Sequence, residues 1–184
     1  MNDAASEVEA LRGLGCPIRV VRRAKGLSLR DAAELIGCHH QALYMNEQGC
    51  YPHVLPVILD WLVENSDYTA FSLDLAYQEF IRLKREDTKE RFDWSSISFM
   101  HLGKPGSNPL TSLHESLGMS RAAFCKNLCL SSSLLYTLEN SGASHVAAVI
   151  PPDVTDLLLY MGISSDVIEE MHERYGDWYL NEVA

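Results

Sequence analysis

The sequence predicts an all-α protein built as two tandem units of about five helices each, and three observations carry that prediction. The first is an internal repeat. Sliding the 184-residue chain by 92 positions superimposes Pro17-Ile18 on Pro109-Leu110 and Gly26-Leu27-Ser28 on Gly118-Met119-Ser120. The same shift, without a gap, superimposes Leu43-Tyr44 on Leu135-Tyr136, Glu47 on Glu139 and His53-Val54 on His145-Val146, and places Ser72 and Asp74 on Ser164 and Asp166. The second observation is apolar spacing of three and four residues between glycine, serine and proline punctuation. The third is that no stretch alternates polar and apolar residues as a half-buried strand would.

The elements follow in order. Ile18, Val21 and Ala24 recur at helical spacing and stop at Gly26, a residue suited to a helix end. Ser28 caps the next helix, whose apolar face is Ala32, Ala33 and Ile36 and which ends at Gly37. A third helix carries Ala42, Leu43 and Tyr44 and stops before Gly49. Pro52 and Pro56 lead into a fourth with Leu55, Ile58, Leu59 and Leu62. The second unit repeats this grammar over 110–117, 120–128, 131–140 and 152–161. One further amphipathic stripe follows each set: Leu73, Ala76, Tyr77, Phe80 and Ile81, then Val167, Ile168, Met171, Tyr175 and Trp178. Between the units the chain is charged and then rich in glycine, serine and proline. The expected organisation is a first domain over 10–86, a linker over 87–106 and a second domain over 107–184.

Composition bounds the function. With 47% hydrophobic and 22% charged residues the chain is of ordinary globular type. Its net charge of −10 disfavours a general nucleic-acid binder, but the charge is unevenly placed. Residues 1–92 hold 14 acids and 11 bases, whereas 93–184 hold 11 acids and 4 bases. Arg19, Arg22, Arg23, Lys25 and Arg30 lie between Ile18 and Arg30 with no acid among them. The first ten residues lack a secretory pattern, and the best apolar stretch, over 54–63, is interrupted by Asp60 and falls short of the ~20 residues that span a bilayer. The expectation is no membrane association, a cytoplasmic location, and reduced thiols at Cys16, Cys38, Cys50, Cys125 and Cys129.

The run Arg19-Val20-Val21-Arg22-Arg23-Ala24-Lys25-Gly26-Leu27-Ser28, followed by Ala32-Ala33, Ile36-Gly37, Glu47 and Gly49, resembles the Cro/phage-repressor type (lambda-repressor-like) helix-turn-helix family. The resemblance covers roughly 17–62 well and 109–161 less well. It implies a sequence-specific DNA-binding transcriptional regulator, repressor-like and of phage or plasmid type, that docks a recognition helix into a major groove. On this likeness helix two begins near Ser28-Leu29 and the recognition helix near His39. His40, Gln41 and Met45 fall on base-facing positions, with His39 and Tyr44 beside them. Gln41 would read adenine, and a histidine would donate to guanine N7 or a phosphate. Arg19, Arg23, Lys25 and Arg30 are the implied phosphate partners, and Ser28 belongs to the same DNA-facing set. Arg22 and Glu47 occupy positions that the likeness assigns to a structural ion pair. Two residues depart from the pattern: Leu29 replaces a phosphate-contacting glutamine, and Asn46 replaces an apolar core residue. Either the recognition helix is slightly rotated or its C-terminal end is frayed.

The second unit departs further. Cys125 takes the small-residue position, Cys129 replaces the turn glycine, and His114 stands for Arg22 opposite Glu139. Its outward positions are Ser131, Ser132, Ser133 and Thr137, which hydrogen-bond phosphates but carry no charge. Double-stranded DNA is therefore the expected partner, led by the first unit, with a homodimer or protein contact assigned to the acidic second unit. The rival class is an interaction protein that uses the same fold to bind a protein.

Other chemistries have less support. Cys38-His39-His40 and Cys50-x-x-His53 offer zinc-ligand types at loose spacing, but a cysteine at the turn packs as a small hydrophobe, so no metal or cofactor is expected. No phosphate-cradling glycine loop or paired nucleophile and base occurs, so the chain is not read as an enzyme. Trp61, Tyr77, Tyr136, Tyr160 and Trp178 read as core. Asp166, Glu169, Glu170, Glu173 and Asp177 read as a solvated helix face.

Overall fold

A computed structural model describes residues 9–11, 13–140 and 149–183. Its regular structure is all helical, with no strand among the described residues. The chain divides into two compact units, Met1–Lys84 and Arg85–Ala184. No described helix is long and apolar enough to cross a membrane.

The first unit contains α1 (Pro17–Ala24), α2 (Leu29–Ile36), α3 (His40–Glu47), α4 (Pro56–Glu64) and the larger part of α5 (Ala70–Arg91). Prolines open α1 and α4, where a missing N–H costs nothing because the first turn has no intrahelical acceptor for it. Ser28 caps α2 by accepting the Asp31 N–H at 3.2 Å. Gly37 ends α2 at φ +76°, a left-handed conformation that suits a residue without Cβ, and the chain turns there into α3. Ile18, Ala32, Ala33, Leu43, Ile58, Leu62, Leu73 and Tyr77 are buried between these helices. Each fully buried aliphatic side chain contributes on the order of 2 kcal/mol.

Asn46 explains how α3 ends. It is fully buried and α3 does not fray there. Its Nδ2 donates to the Tyr77 hydroxyl at 2.7 Å and to the His53 carbonyl at 3.2 Å, and its Oδ1 accepts the Leu55 N–H at 2.9 Å. The Tyr77 hydroxyl lies 2.9 Å from the Asn46 carbonyl and 3.1 Å from that of Tyr51, in donating geometry to both. A hydrogen-bonded hub thus takes the place of an apolar contact.

The second unit begins with the last turns of α5. It continues through 3₁₀ turns Trp94–Ser96 and Phe99–Leu102 into α6 (Pro109–Ser116), α7 (Arg121–Leu128), α8 (Ser132–Glu139), α9 (Pro152–Met161) and α10 (Ser165–Val183). The 87–106 segment, expected as a linker, is folded into this unit. Trp94, Ile97 and Leu102 are buried in one cluster with Leu110, Leu113, Phe124, Leu135 and Leu158. Glycine and serine mark turns in this segment, while its apolar residues have core surface to cover. Gly103 shows how close that packing is: a Cβ there would lie 2.2 Å from Ser112 Oγ.

The structure also corrects the repeat register. The 92-residue shift holds through the first three helices, where Ile18/Leu110, Ala33/Cys125, Leu43/Leu135 and Glu47/Glu139 are all buried. The fourth helices begin at Pro56 and Pro152, 96 residues apart, and buried Val54, Ile58 and Leu62 then correspond to Ile150, Val154 and Leu158. Ser72 and Asp74 sit inside α5, whereas Ser164 precedes α10 and Asp166 is in its first turn, so those pairs are not equivalent. His145 and Val146 lie outside the described residues. The second unit thus carries four more residues between its third and fourth helices.

Candidate nucleic-acid interface

Each unit holds one buried glutamate near the end of its third helix, and two basic side chains hold each glutamate. In the first unit Arg22 Nε donates to Glu47 Oε1 at 2.6 Å, Nη2 to Oε2 at 3.1 Å, and Nη1 to the Leu27 carbonyl at 2.7 Å. The hydrogen-bonded Glu47 raises the Arg22 pKa above its ordinary value, so this charge is permanent. Arg19 joins the pair: its Nε lies 3.4 Å from Glu47 Oε2 and its Nη2 donates to the Glu47 carbonyl at 3.2 Å. The geometry therefore places Arg19 in the frame with Arg22 rather than with the outward bases. Together they tie α1 to the end of α3 and set the angle at which α3 is presented.

Above that frame α2, Gly37 and α3 form the helix-turn-helix. His39, His40, Gln41 and Tyr44 are exposed and Met45 is half-buried. Arg23, Lys25 and Arg30 are exposed, and no carboxylate pairs with them among the described residues. Ser28 is exposed while its Oγ serves as the α2 cap. His39 caps α3, its Nδ1 accepting the Gln41 N–H at 3.3 Å, and its ring lies 4.5 Å from that of His40 at 37°. This arrangement offers hydrogen-bonding side chains along one short helix and cations on the two helices before it, which is the chemistry that a base edge and a phosphate backbone accept.

In the second unit His114 Nε2 faces Glu139 Oε1 at 2.7 Å, and Arg121 Nε donates to Glu139 Oε2. His114 Nδ1 lies 2.9 Å from the Met119 carbonyl. Arg121 occupies the position of Leu29 and also stacks over Tyr136, 5.1 Å from the ring centroid. Ser131 caps α8 by accepting the Leu134 N–H at 3.4 Å and pairs with Ser133 Oγ at 2.7 Å. Ser132 and Thr137 are half-buried. Cys129 holds the turn at φ +55°, the one non-glycine in the left-handed region among the described residues.

Several residues stand where the sequence did not put them. Trp61, Tyr77 and Trp178 are buried, but Tyr136 and Tyr160 are 54% and 41% exposed. A cation covers each of the two exposed rings: Arg121 lies over Tyr136, and Lys89 lies 4.9 Å from the Tyr160 centroid. Burial pushes the Cys16 thiol up to about 11 and also raises that of the half-buried Cys38. No group of three or more His, Cys, Asp or Glu side chains able to hold a metal ion occurs among the described residues. His53 instead pairs with Asp74, its Nδ1 3.0 Å from Oδ2. The hub of Asn46 and Tyr77 and the second clamp of Arg121 on Glu139 were missed. An asparagine at an apolar helix position, and a tyrosine facing it from an apolar stripe, were the available signals for the hub. Compared with protein-family models, curated proteins and solved structures, the chain matches none of them.

Proposed function

We propose that the protein is a sequence-specific regulator of transcription that binds double-stranded DNA in the cytoplasm, with its first unit placing α3 in a major groove. One observation carries the reading. The helix-turn-helix exposes His39, His40, Gln41 and Tyr44 in a single run, while Arg23, Lys25 and Arg30 are exposed with no carboxylate pairing them among the described residues. Occupancy of an operator would then act as a repressor does, by excluding polymerase. With three phosphate partners, the logarithm of affinity should fall with the logarithm of salt at a slope of about −3.

The test is a selection from random duplexes at low salt, followed by titration of the enriched sequence. The expected result is a defined motif, and affinity reduced at least about tenfold in a His40→Ala/Gln41→Ala variant that still folds. Failure to enrich any motif at low salt would remove the reading.

A second reading applies to the second unit. Its recognition positions carry hydroxyls, and Arg121 is engaged by Glu139 and Tyr136. With 11 acids and 4 bases over 93–184, contact with a protein or a second copy suits it better than contact with phosphates. On this reading Ser132→Ala/Thr137→Ala leaves operator affinity unchanged. A loss there would return the second unit to DNA.

A further inference from the structure

The two motifs meet the same local requirement with different residues. His39 and Ser131, 92 positions apart, are the N-caps of α3 and α8. Each side chain accepts one backbone N–H of the first turn, His39 Nδ1 from Gln41 at 3.3 Å and Ser131 Oγ from Leu134 at 3.4 Å. Ser28 and Ser120 cap the preceding helices in the same way, each at 3.2 Å. A hydroxyl is thus sufficient for every one of these caps, and the fold does not require an imidazole at position 39.

The imidazole has a consequence that the hydroxyl lacks. A ring that accepts through Nδ1 has its lone pair there, so the proton of the neutral ring is on Nε2. His39 is exposed, its ring centroid lies 4.5 Å from that of His40, and the cap hydrogen bond turns its Nδ1 edge toward the helix. The leading end of the recognition helix therefore carries one oriented N–H donor and no outward acceptor on that ring.

We propose that His39 is a specificity-determining residue of duplex recognition, its Nε2–H donating to a base-edge acceptor in the major groove, with guanine as the preferred base. The inference rests on the DNA-binding reading above. Guanine presents two acceptors in that groove, adenine one acceptor beside a donor, and thymine one acceptor beside a methyl group. Cytosine presents a donor, so its amine would face the N–H of the ring. A fixed donor ranks guanine first and rejects cytosine.

The test uses two variants of the full chain that keep an N-cap acceptor. His39→Ser installs the residue of the second motif and removes the outward donor. His39→Asp keeps a strong cap and presents an acceptor in place of a donor. Selection from random duplexes is run on the parent and both variants, with thermal melting to confirm folding. Base preference is read position by position, because the added negative charge of His39→Asp lowers affinity for every duplex. The parent is expected to favour guanine at one position. His39→Ser should lose that preference about five- to tenfold and leave the other positions unchanged, the worth of one hydrogen bond. His39→Asp should move the same position toward cytosine. Unchanged base preferences in both variants overturn the inference while the DNA reading stands. A parent that enriches no motif overturns the DNA reading and this inference with it.

Discussion

Glu47 and Glu139 show how one buried charge is kept in two versions of a fold. A buried carboxylate is costly unless it is paired and hydrogen-bonded, and each of these has two side-chain partners, at least one of them an arginine. The partners differ. Arg19 and Arg22 both reach Glu47 from α1, while His114 reaches Glu139 from α6 and Arg121 reaches it from α7. The pairing of Arg22 with Glu47 was legible in the motif. The recruitment of Arg19 and Arg121 was not, because long side chains on a helix surface choose partners only after the helices are packed. Cys129 is the second case at this scale. Its φ of +55° costs a residue with Cβ about 1 kcal/mol relative to glycine, and it is also buried. Cys129→Ala loses the buried thiol and keeps the strain, whereas Cys129→Gly loses the thiol and relieves it. Urea denaturation should find the glycine variant more stable than the alanine variant by about 1 kcal/mol. Equal stabilities would show that the turn is not strained.

At the scale of elements, helix starts and stops were the most legible features. Serine caps, proline starts and glycine ends are local chemistry, and α2, α4 and α9 lie where those residues place them. The end of α3 was not legible, because its stability depends on Tyr77, 31 positions away. Leu138 stands at the Asn46 position in the second unit, so an apolar residue is compatible with the same turn. There the Tyr175 hydroxyl donates to the Leu138 carbonyl at 3.1 Å, and Asn108 Nδ2 donates to it at 2.9 Å. The hub should therefore behave as a coupled pair. Tyr77→Phe and Asn46→Leu should each cost about 1–3 kcal/mol, because each leaves buried polar atoms short of partners. The double variant should cost about 1 kcal/mol less than the sum, measured as a double-mutant cycle in urea. Additive costs would mean that the two side chains act separately. The register change from 92 to 96 belongs to this scale too. A gapless shift aligned scattered identities, but buried positions and helix-starting prolines define equivalence, and across the fourth helices, from Val54/Ile150 to Leu62/Leu158, they agree on 96.

For the whole molecule, charge distribution and buried titratable groups govern behaviour. Cys16 in the first unit is pushed from 9.0 up to about 11 by burial, and Tyr175 in the second from 10.0 up to about 12, again chiefly by burial. In both cases the folded state keeps a proton that the unfolded chain gives up. This contribution to stability is complete below the unfolded value and is lost as pH rises, between about 9 and 11 for Cys16 and about 10 and 12 for Tyr175. Each group should cost on the order of 2 kcal/mol across its window. Urea midpoints followed from pH 8 upward should fall in both units, and Cys16→Ala should lessen the earlier fall, leaving the share that belongs to Cys38. A Cys16→Ala profile superimposable on that of the parent would show that the thiol does not couple to folding. The uneven charge acts at the same scale. On the proposed function, it would give salt-sensitive DNA contact to the first unit, where Arg23, Lys25 and Arg30 remain exposed.

What the amino-acid sequence determined by itself was local and periodic. Helical class, most helix boundaries and the duplicated order of the first three helices follow from short-range spacing, caps and breakers, whereas the pairing of Arg22 with Glu47 was implied by the family resemblance. The tertiary structure decided the rest. It folded residues 94–102 onto the second core, directed Arg19 inward, covered the exposed Tyr136 and Tyr160 with cations, and replaced an apolar contact with the hub of Asn46 and Tyr77. The physical reason is common to these cases. A buried polar or charged group must find its partner wherever packing brings one, and that partner is set by distance in space rather than by distance along the chain.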